Sequence, residues 1–295
     1  MGPVPERIRG AVLRKWILFA ALSLVLLPVS SLAQKKLSVK HICTIDRRYP
    51  NDGDCWKDIY FQFHSQNQQP YGDFHGVSVA DLRTGKTLGW IDLGFNPNFH
   101  NSSITFVGEK AAKKDRFPLL YASENYAPNS YYKVMVYRVS EPWALSVEQL
   151  IVLPSPDSLG ILYPHAVPDG PYLWIEGYSA DKKETVFLRF DRPVFEAGTV
   201  VRLAGEPSRR FSIPRKKVTD QSWCIRNGKF YQVVGVRREA WLRIVDAETG
   251  VLEQEFLLQD YGLPYEPEAV FFRGNRLCAA FSTEGRAEIY ELRLR

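Results

Sequence analysis

Apolar and polar residues alternate in short runs along most of this chain, and turn-forming residues separate the runs. Alternation of this kind predicts half-buried β-strands. The clearest stretch is Gln221–Leu258. Within it SWCIR, FYQVVGV, AWLRIVDA and VLEQEFLL read as four strands. Asn227-Gly228 suits a type I′ hairpin, in which both central residues need positive φ. Arg237-Arg238-Glu239 and Glu248-Thr249-Gly250 make the other two turns. A four-stranded antiparallel unit of this length has the size of one propeller blade.

The rest of the chain repeats the unit imperfectly. VADLRTGKTLGWIDL ahead of residue 94 matches IVDAETGVLEQEFLL ahead of residue 259 as strand, Asp-x-x-Thr-Gly turn, strand. A first blade is expected from Trp56 to Leu93. A second uses Ser103–Val107, Leu119–Ala122, Tyr132–Val139 and Leu150–Leu153. A third begins at His165 and takes Tyr172–Glu176, Thr185–Phe190 and Thr199–Leu203. The fifth has only Glu268–Phe272, Arg276–Phe281 and Ala287–Leu294, whereas Lys36–Ile45 is a strand with no blade of its own. Pairing these two ends closes the ring and removes two exposed sheet edges. The expected fold is therefore an all-β, five-bladed β-propeller closed by an N-terminal strand, with six blades as the alternative.

Composition narrows the function classes. The net charge of +5 includes Arg7, Arg9, Arg14 and Lys15. These form the basic start of a secretory signal peptide, with Trp16–Val29 as its apolar segment and Ser31-Leu32-Ala33 as its cleavage site. The expected organisation is a signal peptide over 1–33 and one propeller domain over 34–295. Removing four positive charges and one negative (Glu6) leaves +2, too weak a basic surface to argue for nucleic acid. The product is expected to be a secreted or periplasmic monomer without membrane attachment. Export permits disulfides. Cys43 and Cys55 flank a polar loop and could bridge it or remain thiols. Cys224 and Cys278 fall in strands and are expected to be buried thiols.

Candidate chemistry lies at the starts of the inner strands, which a propeller gathers on one face around its axis. Those starts give His100 and Asn101, His165, Asp220, Gln221 and Trp223, and Glu266 with Glu268; Asp54 and Trp56 hold the same place in the first blade. Trp56, Tyr163, Trp174, Trp223 and Tyr265 are nearby aromatics able to stack on a flat ligand. No nucleophile elbow, phosphate-binding loop or H-E-x-x-H motif occurs. A carboxylate pair for glycoside hydrolysis could come from Asp54, Asp220, Glu266 and Glu268.

The hairpins at Thr84-Gly85 and Thr249-Gly250, with Glu266-Pro267-Glu268-Ala269 opening an inner strand, resemble features of the secreted bacterial five- to six-bladed propeller proteins. That resemblance covers Leu37–Arg295 and implies a propeller without implying an activity. A more distant likeness is to the calcium-dependent nucleotidases, also five-bladed. It implies that calcium could be held by Ser102 or Ser103, Ser222 and Glu268, and His165 departs from that pattern. The leading expectation is a ligand-binding or scaffold protein that takes a small molecule, glycan or peptide at the channel mouth. The alternatives are a calcium-dependent or carboxylate-based hydrolase, and a protein-interaction platform using the outer blade edges.

Overall fold

The computed structural model describes residues 36–45, 50–66, 74–93, 101–124, 132–283 and 286–295. The expected signal peptide lies outside them. Strand β1 (Leu37–Ile45) belongs to the last blade. Blade I is β2 (Asp52–Trp56), β3 (Ile59–Gln66), β4 (Phe74–Asp81) and β5 (Thr87–Asp92). Blade II is β6 (Asn101–Phe106), β7 (Leu120–Glu124), β8 (Lys133–Ser140) and β9 (Ala144–Val152). The short helix α1 (Pro156–Leu159) leads into blade III, which opens with β10 (Leu162–Asp169), β11 (Tyr172–Tyr178) and β12 (Glu184–Asp191). Strand β13 (Thr199–Arg202) then returns to pair with β9 in parallel, and β14 (Arg209–Pro214) completes blade III. Blade IV is β15 (Asp220–Arg226), β16 (Lys229–Val236), β17 (Glu239–Asp246) and β18 (Leu252–Leu257). Blade V is β19 (Glu266–Arg273), β20 (Arg276–Thr283), β21 (Arg286–Leu294) and β1.

The protein is thus a five-bladed β-propeller closed as expected. Strand β1 runs antiparallel to β21 from Leu37 opposite Leu294 to Ile45 opposite Ala287. Closure is driven by side-chain burial. The buried apolar residues form five clusters, one at each interface between neighbouring blades. Leu37 joins the cluster between blades IV and V, and Cys43 and Ile45 join the one between V and I. Without β1 both interfaces lose wall residues, and β21 becomes an unpaired edge.

The internal repeat has a hydrogen-bond basis. In blade I the Asp81 side chain accepts from Arg83 N, and Gly85 N donates to Asp81 O at 2.8 Å. In blade IV the Asp246 side chain accepts from Glu248 N and Thr249 N, and Gly250 N donates to Asp246 O at 2.8 Å. Both carboxyls sit below the usual carboxylate range, Asp81 through its Arg83 partner and Asp246 through Thr249. The Asn227-Gly228 turn has φ of 51° and 69°, as a type I′ turn requires.

Two blade assignments need correction. Thr199–Leu203 is not the outer strand of blade III, because β13 augments blade II instead. The outer strand is Arg209–Pro214. Its sequence RRFSIP buries only Ile213, so its hydrophobic signal is faint. In blade I the inner strand begins at Asp52 rather than Asp54, and Lys57-Asp58 is the turn to the second strand.

Candidate functional site

The inner strands β2, β6, β10, β15 and β19 run side by side around the axis. Four of them carry a β-bulge near their start. The register slips between Ser102 and Ile104, between Leu162 and His165, between Asp220 and Ser222, and between Pro267 and Ala269. A bulge places one extra residue outside the ladder and re-aims its side chain. The extra residues are Ser103, Gln221 and Glu268, with Tyr163-Pro164 in β10. Ser103 and Tyr163 have φ of 61° and 53°, uncommon for residues with a Cβ.

The bulges free backbone N–H groups that side chains of neighbouring blades satisfy. Ile104 N donates to Asp52 Oδ2 at 2.9 Å. Val270 N donates to Ser222 Oγ at 3.1 Å, and Ser222 Oγ donates to Asp52 Oδ1 at 2.9 Å. Ala166 N donates to Ser123 Oγ at 3.1 Å. Asp52, 1% exposed, therefore ties blades I, II and IV together, and Ser222 extends the tie to blade V. Burial pushes the Asp52 carboxyl up to about 8, against the pull of Ile104 N, Gly53 N and Ser222 Oγ. One turn deeper, Asp54 accepts from Cys55 N and Phe106 N at 2.7 Å, and burial lifts it to about 7. Asp54 is thus a fastener between blades I and II, with its oxygens already engaged.

The expected mouth residues divide into groups. Gln221, Glu266 and Glu268 come together. Gln221 Nε2 donates to Glu266 Oε1 at 2.8 Å and to Gly235 O at 3.0 Å. Glu268 is partly exposed to the channel. Its carboxyl is held well above the ordinary range by burial first, then by Glu266 and Asp52. Asp220 belongs to a second group behind the mouth, between blades III and IV. Its carboxyl lies within reach of Glu176, which is 2% exposed. Neither Asp220 oxygen meets an N–H or O–H of a described residue with hydrogen-bond geometry, and Arg215 Nε stands 3.8 Å away. Burial raises both carboxyls. Gln232 Nε2 donates to Glu176 Oε1 at 3.0 Å, and Arg243, 1% exposed, donates to Gln232 Oε1.

His165 faces Glu176 across the β10–β11 pair. Asn101 opens β6 opposite Glu124, and His100 lies outside the described residues. Trp223 is corrected from mouth to core. It is 2% exposed, with its ring 5.4 Å from Phe230 and 6.0 Å from Phe187. Trp174 joins the same cluster. Strand pleating explains this, since Ser222 faces the Asp52 network and the next residue faces the opposite way. Tyr163 stays 43% exposed beside the mouth, edge-on to Tyr178 at 5.9 Å. Glu176 was missed by the sequence reading because it lies on a second strand. The available signal was a single acid inside the apolar run YLWIEGY.

All four cysteines are buried thiols, so the Cys43–Cys55 bridge is absent. The pair packs at the interface between blades V and I. Among the described residues no group of three or more His, Cys, Asp or Glu side chains is arranged to hold a metal ion. No described helix is long and apolar enough to cross a membrane.

No protein-family model matches the chain, and no curated protein matches it. Solved structures are similar in fold. A GH43 protein from Bacillus licheniformis aligns with a TM-score of 0.50 at 11% identity, covering 87% of this chain and 54% of that one. This chain therefore spans about half of that protein's length. An α-L-arabinofuranosidase from Clostridium thermocellum aligns at a TM-score of 0.49 and 11% identity, covering 79% and 82%. A glucose dehydrogenase aligns at 0.47 and 9%, covering 86% and 98%. At 11% identity the likeness to the Bacillus licheniformis protein is one of fold and leaves the chemistry to the site itself.

Proposed function

We propose that the protein binds a neutral glycan at the channel mouth formed by the starts of its inner strands. The observation that carries this reading is the set of bulges at one level of the ring, which releases Tyr163, Gln221 and Glu268 from the ladders. Tyr163 offers an exposed ring for stacking on a sugar face. Gln221 and Glu266 form an amide–carboxylate pair with further donor and acceptor capacity. Glu268, whose carboxyl is held above the ordinary range by burial and its acidic neighbours, accepts from sugar hydroxyls and, in its protonated form, also donates to them. Few polar groups on an apolar, preformed frame is the usual make-up of a ligand site.

The test is a glycan array run beside a peptide array, followed by calorimetry on the hits. Neutral oligosaccharides should bind, and Gln221→Ala and Tyr163→Ala should each weaken them about tenfold without unfolding the protein. Binding of peptides alone would replace the glycan reading.

A hydrolase is the second reading, favoured by the Glu176–Asp220 pair. A protonated carboxyl raised by burial and a like-charged neighbour is how glycosidases keep a general acid. Release of nitrophenol from aryl glycosides, lost in Glu176→Gln, would favour it; calcium dependence would add the metal expected from the nucleotidase likeness.

A further inference from the structure

The opposite end of the channel holds a cavity of about 360 Å³ with a different chemistry. It is lined where the inner strands end, by Trp56, Phe106, Phe272, Thr105, Lys57 and Arg226 among others. We infer that this cavity is a second binding site, distinct from the mouth, for a small planar organic anion of the aromatic carboxylate class.

The walls favour a flat apolar body. Trp56 and Phe106 lie with ring centroids 6.5 Å apart, and Phe272 is fixed edge-on to Tyr231 at 5.0 Å. Cys55 and Cys224 add soft, uncharged surface, because burial raises both thiols well above their usual range. The rim favours an anion. Arg226 is held by the Gly274 carbonyl and by Asn275 Oδ1 at 2.8 Å, with its guanidinium carbon 4.8 Å over the Phe272 ring. No carboxylate among the described residues pairs with Arg226 or with the exposed Lys57. Both cations thus retain unneutralised charge at the opening. Thr105 Oγ1 is buried without a partner, and an unpaired buried hydroxyl gains by meeting a ligand acceptor.

The same surroundings disfavour a sugar acid. A sugar needs several side-chain partners for its hydroxyls, and the only acid lining this cavity, Asp54, spends its oxygens on Cys55 N and Phe106 N. Asp54 also sets a pH dependence. Burial places its carboxyl at about 7, so an incoming anion meets less negative charge below neutrality and binds more tightly there. The remaining charged and titratable groups of the lining are Lys57, Arg226 and the two thiols.

The probe is 2-naphthoate, titrated by calorimetry and by tryptophan fluorescence, with 2-naphthamide as its uncharged match. Naphthoate should bind one equivalent, and more tightly at pH 6 than at pH 8. Lys57→Gln and Arg226→Gln should each weaken it about three- to fivefold, the range for a rim charge. Thr105→Val, which keeps the shape, should weaken it also. Naphthamide should bind several-fold more weakly than naphthoate. Gln221→Ala at the mouth should change nothing. Failure of naphthoate to bind at millimolar concentration overturns the inference. So does equal binding of the amide, or binding that survives both charge substitutions together, or binding lost with Gln221→Ala.

Discussion

Ser222 gives the sharpest test of how the ring is fastened. Its hydroxyl donates to Asp52 Oδ1 and accepts from Val270 N, and it is 3% exposed. Ser222→Ala leaves the Val270 N–H orphaned in a buried bulge, at a cost of about 1–3 kcal/mol. It also removes one donor from a buried carboxyl, a bond worth about 1.5–3 kcal/mol if the group is charged and less if it is protonated. Partial compensation between the two puts the sum at about 3 kcal/mol. For a domain of this size each kcal/mol moves Tm by about 2–4 °C, so the expected fall is about 6–12 °C. Scanning calorimetry reads it directly, and urea denaturation should show a lower midpoint at unchanged slope. Ser212→Ala on the exposed face of β14 serves as control and should stay within about 0.5 kcal/mol. A double-mutant cycle with Asp52→Asn should show coupling above about 1 kcal/mol. A fall in Tm of less than about 2 °C for Ser222→Ala would refute the fastening role.

Stability should also depend on pH in a stated direction. Asp52 and Asp54 have folded values near 8 and 7, above the usual 3.8. Between about pH 4 and 8 the native state therefore holds more protons than the unfolded chain, and stability falls as pH rises. Depressed groups such as Asp81, at about 2, act below pH 4 in the opposite sense. The urea midpoint should be higher at pH 5 than at pH 8.5, and a flat or rising profile would contradict the burial of these carboxyls. Gly235→Ala should cost about 3 kcal/mol or more in the same assay. Its φ is 124°, and a Cβ there would lie 2.1 Å from Glu239 O and 2.6 Å from Ala240 Cα. Thiol titration with a chromogenic disulfide should find no reactive cysteine in the native protein and four after unfolding; two missing thiols would reveal a bridge.

Much of the ring was legible in the sequence, for a physical reason. Strands buried on one or both faces must alternate or run apolar, and tight hairpins demand particular residues. Asn227-Gly228 and the two Asp-x-x-Thr-Gly turns therefore announced themselves. The closing strand was legible as well, because an unmatched strand at each end has one economical partner. What stayed hidden depends on long-range pairing. Nothing in TVVR says that β13 leaves its own blade to join β9, and RRFSIP carries too little apolar signal to mark an outer strand. The strand starts that make up the candidate mouth were partly legible. Glu266, Glu268 and Gln221 were reachable from strand starts, since a propeller gathers those starts around its axis. The bulges were not, because one extra residue in a ladder leaves no periodic trace. They decide that Gln221 leaves the pleat while Trp223 returns to the core. Glu176 was unreachable by that reasoning, since its role arises only where blade III meets Asp220 of blade IV.

Photo-crosslinking gives the sharpest test of a glycan site at the mouth. A neutral oligosaccharide selected on the array and carrying a diazirine is irradiated with the protein, and the labelled peptides are mapped by mass spectrometry. Label is expected on the peptides bearing Tyr163, Gln221 and Glu268, suppressed by excess unmodified sugar. Suppressible label confined to the outer strands β5 and β14, or to the far end of the channel around Trp56 and Phe272, would contradict it.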